Sequence, residues 1–246
     1  MTPDAALAAL EALADPGRAA EMAAYHKATR VYLGVPVPAV DALAKDWRAG
    51  VTLEARIALA QGLWETDVHE ARVAAARLLT QARIRPDGAV WATIAGWVPT
   101  FDAWALADHA SAAGGRRLVA DPARLDEVEG WVGSPRMWTR RAALVMTLPW
   151  TRANHPTAQD LAVRDRVLGW CAALASDRDW FIQKAVAWLL RDLSRHDAPR
   201  TRAWLSAHGE VLKPWAQREA ARHLGAGQGH AAPGPRPSPR RMPGPG

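Results

Sequence analysis

The sequence holds a single cysteine, Cys171, in 246 residues. One thiol excludes an internal disulfide framework and any metal cluster built from the cysteines of one chain. The eight histidines, among them His69, His109, His155, His196 and His223, never fall at a metal-ligand spacing such as H-E-x-x-H, so no metal site is expected. No segment runs apolar long enough to cross a bilayer. The start, Met1-Thr2-Pro3-Asp4-Ala5-Ala6, lacks the basic stretch of a secretory signal. A soluble protein of the cytoplasm is the expectation. Phenylalanine and tyrosine are nearly missing, at two residues each, and β-branched residues rarely adjoin, which leaves little material for sheets. Lysine is scarce as well: four residues stand against 27 arginines.

What is present is alanine, leucine and 13 tryptophans. With 49% hydrophobic and 23% charged residues, the chain has ordinary globular material and an all-helical composition. It is long enough to bury a sizeable core. The formal net charge is +6, and Arg236, Arg240 and Arg241 near the C-terminus supply half of it. The remaining excess permits a polyanionic partner without demanding one. Arginine's planar fork suits phosphate better than lysine's ammonium does.

Apolar periodicity predicts helices over 4–14, 17–32, 37–49, 53–64, 67–83, 87–97, 101–113, 121–132, 136–148, 158–175, 179–194, 198–208 and 213–224. Turn signals separate them: Asp15-Pro16-Gly17, Gly34-Val35-Pro36, Arg85-Pro86-Asp87-Gly88, Gly114-Gly115, Asp121-Pro122 and Gly133-Ser134-Pro135. Residues 226–246, rich in Gly, Pro and Arg, read as a disordered tail behind one domain over 1–225.

The tryptophans do not all fall on core faces. In the helix expected over 179–194, Trp180, Lys184, Trp188 and Arg191 lie within about 80° of one another on the helical wheel. Ile182, Ala185, Val186, Leu189 and Leu193 form the opposite, aliphatic face, which is enough to bury the helix. Further upstream, Ala103, Leu106, Ala107 and Ala110 make a core stripe, while Trp104 and Asp108, four apart, share the other face. One helix thus offers an indole beside a carboxylate, and another offers indoles beside cations. That combination suits an anionic polymer carrying a cationic or π-faced group. The competing interpretation is plain packing of large side chains, and it is the one adopted for Trp47, Trp64, Trp91, Trp97, Trp131 and Trp170.

A weak internal repeat organises the second half. Trp138-Thr139-Arg140-Arg141-Ala142-Ala143, Phe181-Ile182-Gln183-Lys184-Ala185-Val186 and Trp215-Ala216-Gln217-Arg218-Glu219-Ala220 share one frame, with aromatic positions 43 and then 34 residues apart. A helix-pair repeat near 40 residues is the HEAT/armadillo period, and stacked pairs form a curved solenoid with a concave face. The expected architecture is all-α: a right-handed superhelical solenoid of HEAT-like helix pairs around a concave groove. Arg141, Lys184 and Arg218 would recur along that groove at a spacing suited to a phosphate backbone. Alternatively, these cations pair with acids between repeats.

At these residues the chain resembles the AlkD family of DNA alkylation-repair glycosylases. The resemblance covers nearly all of residues 20–224. It rests on Tyr25 with Tyr32-Leu33-Gly34-Val35, on Leu63-Trp64, on Trp104 and Asp108, and on Trp138 with Arg141-Ala142-Ala143. Phe181-Ile182-Gln183-Lys184-Ala185, Trp188-Leu189-Leu190-Arg191 and Gln217-Arg218-Glu219-Ala220 complete it. The resemblance implies a solenoid that wraps duplex DNA and a monofunctional glycosylase needing no metal, cofactor or lysine Schiff base. Its substrates would be cationic alkylated purines, chiefly N3-methyladenine and N7-methylguanine, released without flipping the base into a pocket. It places the catalytic pair on Trp104 and Asp108, the second site tryptophan on Trp188, and DNA-contacting arginines on Arg141 and Arg191. Lys184, Arg218 and Tyr25 are further candidate DNA contacts. A monomer is expected. Pro36 departs from the pattern, standing where some members carry a polar residue near the lesion.

Such chemistry needs few groups. The glycosidic bond of a cationic purine is already weak, and its departure leaves an oxocarbenium-like sugar. Asp108 would stabilise that cation and accept a proton from water, and the indole faces of Trp104 and Trp188 would favour it. No general acid is required, because the base leaves neutral. Two rival functions share the scaffold: a non-catalytic binder of branched or distorted DNA, and a helical-repeat scaffold for protein partners.

Overall fold

A computed structural model of the protein describes residues 1–225; the tail expected over 226–246 lies outside the described residues. In chain order the α-helices are α1 (Pro3–Glu11), α2 (Pro16–His26), α3 (Val37–Ala49), α4 (Leu53–Glu65), α5 (His69–Leu79), α6 (Gly88–Trp97), α7 (Trp104–Ala120), α8 (Leu125–Val132), α9 (Met137–Val145), α10 (Leu148–Thr151), α11 (Ala158–Ala173), α12 (Trp180–Ser194), α13 (Ala198–His208) and α14 (Pro214–Ala220). Single 3₁₀ turns follow α6 and α13 and precede α8. Among the described residues the only extended pairing is one isolated bridge, Val31 with Val68. Each segment that the periodicity marks as helical holds a helix.

The boundaries differ where side chains intervene. The segment expected over 17–32 stops at His26, because Lys27 turns into the left-handed region at φ 56°. The chain beyond it is captured by Glu70, whose buried carboxylate accepts the N–H groups of Leu33 (3.0 Å) and Gly34 (2.8 Å). Gly34 itself has φ +80°, and a Cβ there would lie 2.2 Å from the Asp15 carbonyl oxygen. The Leu33-Gly34-Val35 motif is therefore a folding element. Pro36, exposed, caps the start of α3 without a side-chain hydrogen bond.

A second difference matters more. Gly114-Gly115 reads as a break, yet α7 runs unbroken to Ala120. Both glycines are buried where α7 crosses the turn after α9. A Cβ on Gly114 would meet the Met146 sulfur at 2.5 Å, and one on Gly115 the Met146 carbonyl oxygen at 2.8 Å. The pair permits close backbone approach, at a helix-propensity cost of about 1 kcal/mol per glycine. In the segment expected over 136–148, α9 ends at Val145 and the short α10 takes over at Leu148-Pro149.

The helices form two layers. α5 packs on α7, α7 on α9, α9 on α12 and α12 on α14, so the second helix of each pair lies against the next. The first helices contact one another in turn, α4 with α6 and α8 with α11. Tryptophans in the outer layer fasten successive repeats. The indole N–H of Trp64 donates to Thr100 (3.1 Å), that of Trp91 to Glu127 (2.8 Å), that of Trp170 to Glu129 (2.8 Å) and that of Trp204 to the Leu168 carbonyl (2.9 Å). Each bond spans about one repeat. Trp64 also stacks on Trp97, with ring centroids 4.4 Å apart, and Trp91 stacks on Trp131 at 5.9 Å. The six tryptophans assigned to packing are five buried residues and Trp131, partly buried against the core.

Candidate active site

The layer of second helices carries an open cleft of about 530 Å³. α7 buries Ala105, Leu106, Ala107 and Ala110, with Ala103 just before it. Trp104, in its first turn, and Asp108, one turn later, are left facing the cleft. α12 buries Ile182, Ala185, Val186, Leu189 and Leu193. Trp180, Lys184, Trp188 and Arg191 line the cleft from the other side, and α14 closes it with Trp215 and Glu219. The two helix faces left over by the core patterns thus open onto one space, since α9 alone lies between α7 and α12.

Asp108 is gripped from below. The Arg141 Nε and Nη2 atoms donate to its Oδ1 at 3.0 and 2.9 Å, and Nη2 also donates to Oδ2 at 2.9 Å. Arg141 Nη1 donates to the Phe181 carbonyl at 2.9 Å, tying α9 to the first turn of α12. Arg141 is 2% exposed and the Asp108 side chain 23%. Burial raises the Asp108 carboxyl above the ordinary aspartate range, while Arg141 and Lys184 pull it back. A carboxylate oxygen accepts about two hydrogen bonds. Oδ1 has both, whereas Oδ2 has one acceptor position left.

Trp104 is braced by rings. Tyr25 meets it edge-on at 5.6 Å and His26 at 5.2 Å. His26 stacks on His69 at 4.6 Å, and His69 on Tyr32 at 4.8 Å. Burial drives the His69 imidazole down to about 3, and that of His109 on α7 to about 4, so both are neutral at physiological pH.

The expected DNA contacts fare differently. Arg141 is buried, and all three of its guanidinium nitrogens donate to Asp108 and Phe181, the arrangement expected of a cation paired between repeats. Arg191 lines the cleft but is paired with Glu219 and with Asp192 (3.3 Å). Lys184 is exposed in the cleft, its Nζ 4.8 Å from the centre of the Trp180 ring. Arg218 is exposed and has no ion-pair partner among the described residues, but it does not line the cleft. Tyr25, 69% exposed, stands at the cleft's edge beside Trp104. The glutamine of the Phe181-Ile182-Gln183-Lys184-Ala185 string is structural: buried Gln183 donates to the carbonyls of Ala175 (2.6 Å) and Asp177 (3.0 Å) and accepts from the Lys213 N–H (3.0 Å).

A second hollow of about 440 Å³ adjoins the cleft, with Asp108 and Trp188 in both walls. Ser111, Gly115 and Arg116 extend the Asp108 face along α7, and Arg152 lies opposite. Two more hollows continue from it, one holding Arg83, Arg85 and Arg116 and the other Arg152, Arg191 and Arg195. Sequence reasoning missed this arginine line. Its signal was the spacing 108, 111, 115, 116 on a single face, hidden by reading Gly114-Gly115 as a helix end.

Among the described residues no helix is long and apolar enough to cross a membrane. No group of three His, Cys, Asp or Glu there has the arrangement of a metal site. A family model described as DNA alkylation repair enzyme matches residues 6–224. Among solved structures, the chain is similar to one described as a predicted DNA alkylation repair enzyme from Enterococcus faecalis, at 26% identity and a TM-score of 0.71, covering 86% of this chain and 97% of that one. It shares its fold with AlkD2 from Streptococcus mutans, at 19% identity and a TM-score of 0.60 over 78% of this chain and 91% of that one. The Streptococcus mutans UA159 protein smu.31 is similar at 19% identity and a TM-score of 0.59, over 76% and 92% of the two chains. No curated protein matches the chain.

Proposed function

The chain belongs to the DNA alkylation repair enzyme family, and we propose that it is a monofunctional, monomeric glycosylase that hydrolyses the N-glycosidic bond of cationic alkylated purines in duplex DNA. The observation that carries this reading is Asp108: an oriented, partly buried carboxylate with one acceptor position open, in a cleft walled by indoles. N3-methyladenine and N7-methylguanine are the simplest substrates. Their bases leave without protonation, so one carboxylate suffices where ordinary glycoside hydrolysis uses two.

In this mechanism the deoxyribose of the damaged nucleotide lies between Trp104 and Trp188. As the C1′–N bond breaks, its electron pair leaves with the purine, which departs neutral, and positive charge moves to the sugar. The indole faces attract that charge by roughly 0.5–2 kcal/mol each. Asp108 adds a full opposite charge in a site of reduced dielectric, and its attraction for the sugar cation exceeds that of the indoles. It then takes a proton from the water that adds to C1′. Arg141 positions the carboxylate and favours its ionised form against the opposing effect of burial. The open, shallow cleft fits a lesion that stays near the duplex surface instead of turning into a closed pocket. Arg116 and Arg152, in the hollow that Asp108 shares, are placed to take phosphates beside the reacting nucleotide.

The test is release of free base from duplex DNA carrying N7-methylguanine, above spontaneous loss, with a hypoxanthine duplex as the neutral comparison. Release from the first and not the second is expected. Salt-sensitive binding without release from either would overturn the glycosylase reading in favour of a non-catalytic DNA binder.

A further inference from the structure

Ser111 has a buried hydroxyl with nothing to bond. It is 1% exposed, and its Oγ has no hydrogen-bond partner among the described residues. A serine inside a helix usually returns its hydroxyl to the carbonyl one turn back, as Thr80 and Thr93 do here, at 2.6 and 2.9 Å. Ser111 does not. Leaving a buried hydroxyl unsatisfied destabilises the fold, and alanine, the commonest residue of this chain, would fit the position without that penalty.

Its location supplies a use. Ser111 is three residues beyond Asp108 on α7, so the two side chains are neighbours on one face, with Cβ atoms about 5–6 Å apart. Both line the 440 Å³ hollow behind the indole cleft. A single water joining two oxygens through hydrogen bonds of about 2.7–2.8 Å each, at its near-tetrahedral angle, bridges oxygens about 4.5 Å apart, a separation that side chains on neighbouring Cβ atoms can reach. Asp108 Oδ2 has one acceptor position open. A water there has the two or more polar partners that make such a site stable.

We propose that Ser111 is a positioning residue that, together with Asp108, holds the attacking water. This rests on the glycosylase reading above. The water donates one hydrogen to Asp108 Oδ2 and is held through its second hydrogen bond by Ser111 Oγ, which leaves an oxygen lone pair for C1′. On attack, the water oxygen forms the new C1′–O bond. The C1′–N pair departs with the purine, and the water proton passes to Asp108. The water approaches from the Ser111 side of Asp108, away from the four-tryptophan cleft.

The experiment compares Ser111→Ala with the unaltered protein on duplex DNA carrying N7-methylguanine, in buffer containing a fixed proportion of methanol. Base release, DNA affinity, melting temperature and the product at C1′ are measured together. Water leaves an abasic aldehyde that alkali cleaves, whereas methanol leaves a methyl glycoside that resists alkali. The proposal expects release to slow roughly tenfold, affinity to hold, and melting to be unchanged or higher. The methyl glycoside share rises toward the solvent ratio, because the held water no longer outcompetes solvent. Unchanged release in Ser111→Ala overturns the proposal, and so does slower release at an unaltered product ratio. If the unaltered protein releases no base, the glycosylase reading itself has failed, a result distinct from either.

Discussion

At the scale of single residues, the site is a set of polar groups held at the edge of burial. Arg141 was expected on the DNA side, from its place in a repeated frame, but a wheel cannot show that Asp108 lies within reach across the gap between α7 and α9. Once buried, a guanidinium needs a carboxylate, and the nearest is the catalytic candidate. The same edge of burial predicts an acid response. His69 and His109 have folded-state values of about 3 and 4, below the ordinary histidine value of 6.5. A lowered folded value means that the unfolded chain takes up the proton first. Their stabilising contribution is complete above pH about 6.5 and is lost as pH falls, to about 4 for His109 and to about 3 for His69. Each histidine contributes up to about 1.4 kcal/mol per pH unit across that window. Denaturant unfolding at pH 7, 6 and 5 should show this decline, and a His69→Phe variant should flatten it. An equal slope in the variant would show that His69 is not responsible.

At the scale of helices, most of the fold was legible in the sequence, for two reasons. Aliphatic stripes on α7 and α12 are complete without their tryptophans, so the leftover faces, which line one cleft, were readable as a candidate site. The tryptophans of the outer layer are spaced one repeat from their hydrogen-bond partners, as the period near 40 residues implies. What was not legible is tertiary. Gly114-Gly115 is a turn signal in isolation, and only the approach of the Met146 carbonyl makes it a packing device. Gly115→Ala should therefore be the costlier of the two alanine substitutions, since its Cβ meets backbone, whereas that of Gly114 meets a flexible methionine. Overpacking of this kind costs about 1–3 kcal/mol, partly offset by helix propensity. Thermal unfolding should rank Gly115→Ala below Gly114→Ala, and base release should fall with it, because Asp108, Ser111 and Arg116 ride on the same helix. Equal stability of the two variants would remove the close-approach argument.

At the scale of the whole molecule, a modest formal charge of +6 hides an uneven surface. Many arginines pair with acids between repeats, as Arg140 does with Asp177 and Asp179, and Arg164 with Asp197. Arg83, Arg85, Arg116 and Arg195 have no ion-pair partner among the described residues, and they lie along the run of hollows that passes Asp108. Arg152, the fifth, is itself exposed and paired only with the partly buried Asp192, which leaves its guanidinium open to a phosphate from the solvent side. Arg116→Ala and Arg152→Ala should each weaken binding to any duplex and reduce the salt slope by about one phosphate. Arg218→Ala, outside the cleft, should leave the slope close to that of the unaltered protein. A slope unaffected by Arg116 and Arg152 would move the DNA path off these hollows.

The central claim is that one carboxylate, positioned by Arg141 among indoles, breaks the glycosidic bond. Its most direct test is single-turnover release of N7-methylguanine from duplex DNA by Asp108→Asn and by the unaltered protein, at DNA occupancies matched from binding curves. Removing the charge and the base while keeping the shape should slow release by roughly 10²–10⁴-fold with DNA affinity retained. Release by Asp108→Asn within a few-fold of the unaltered protein would contradict the account.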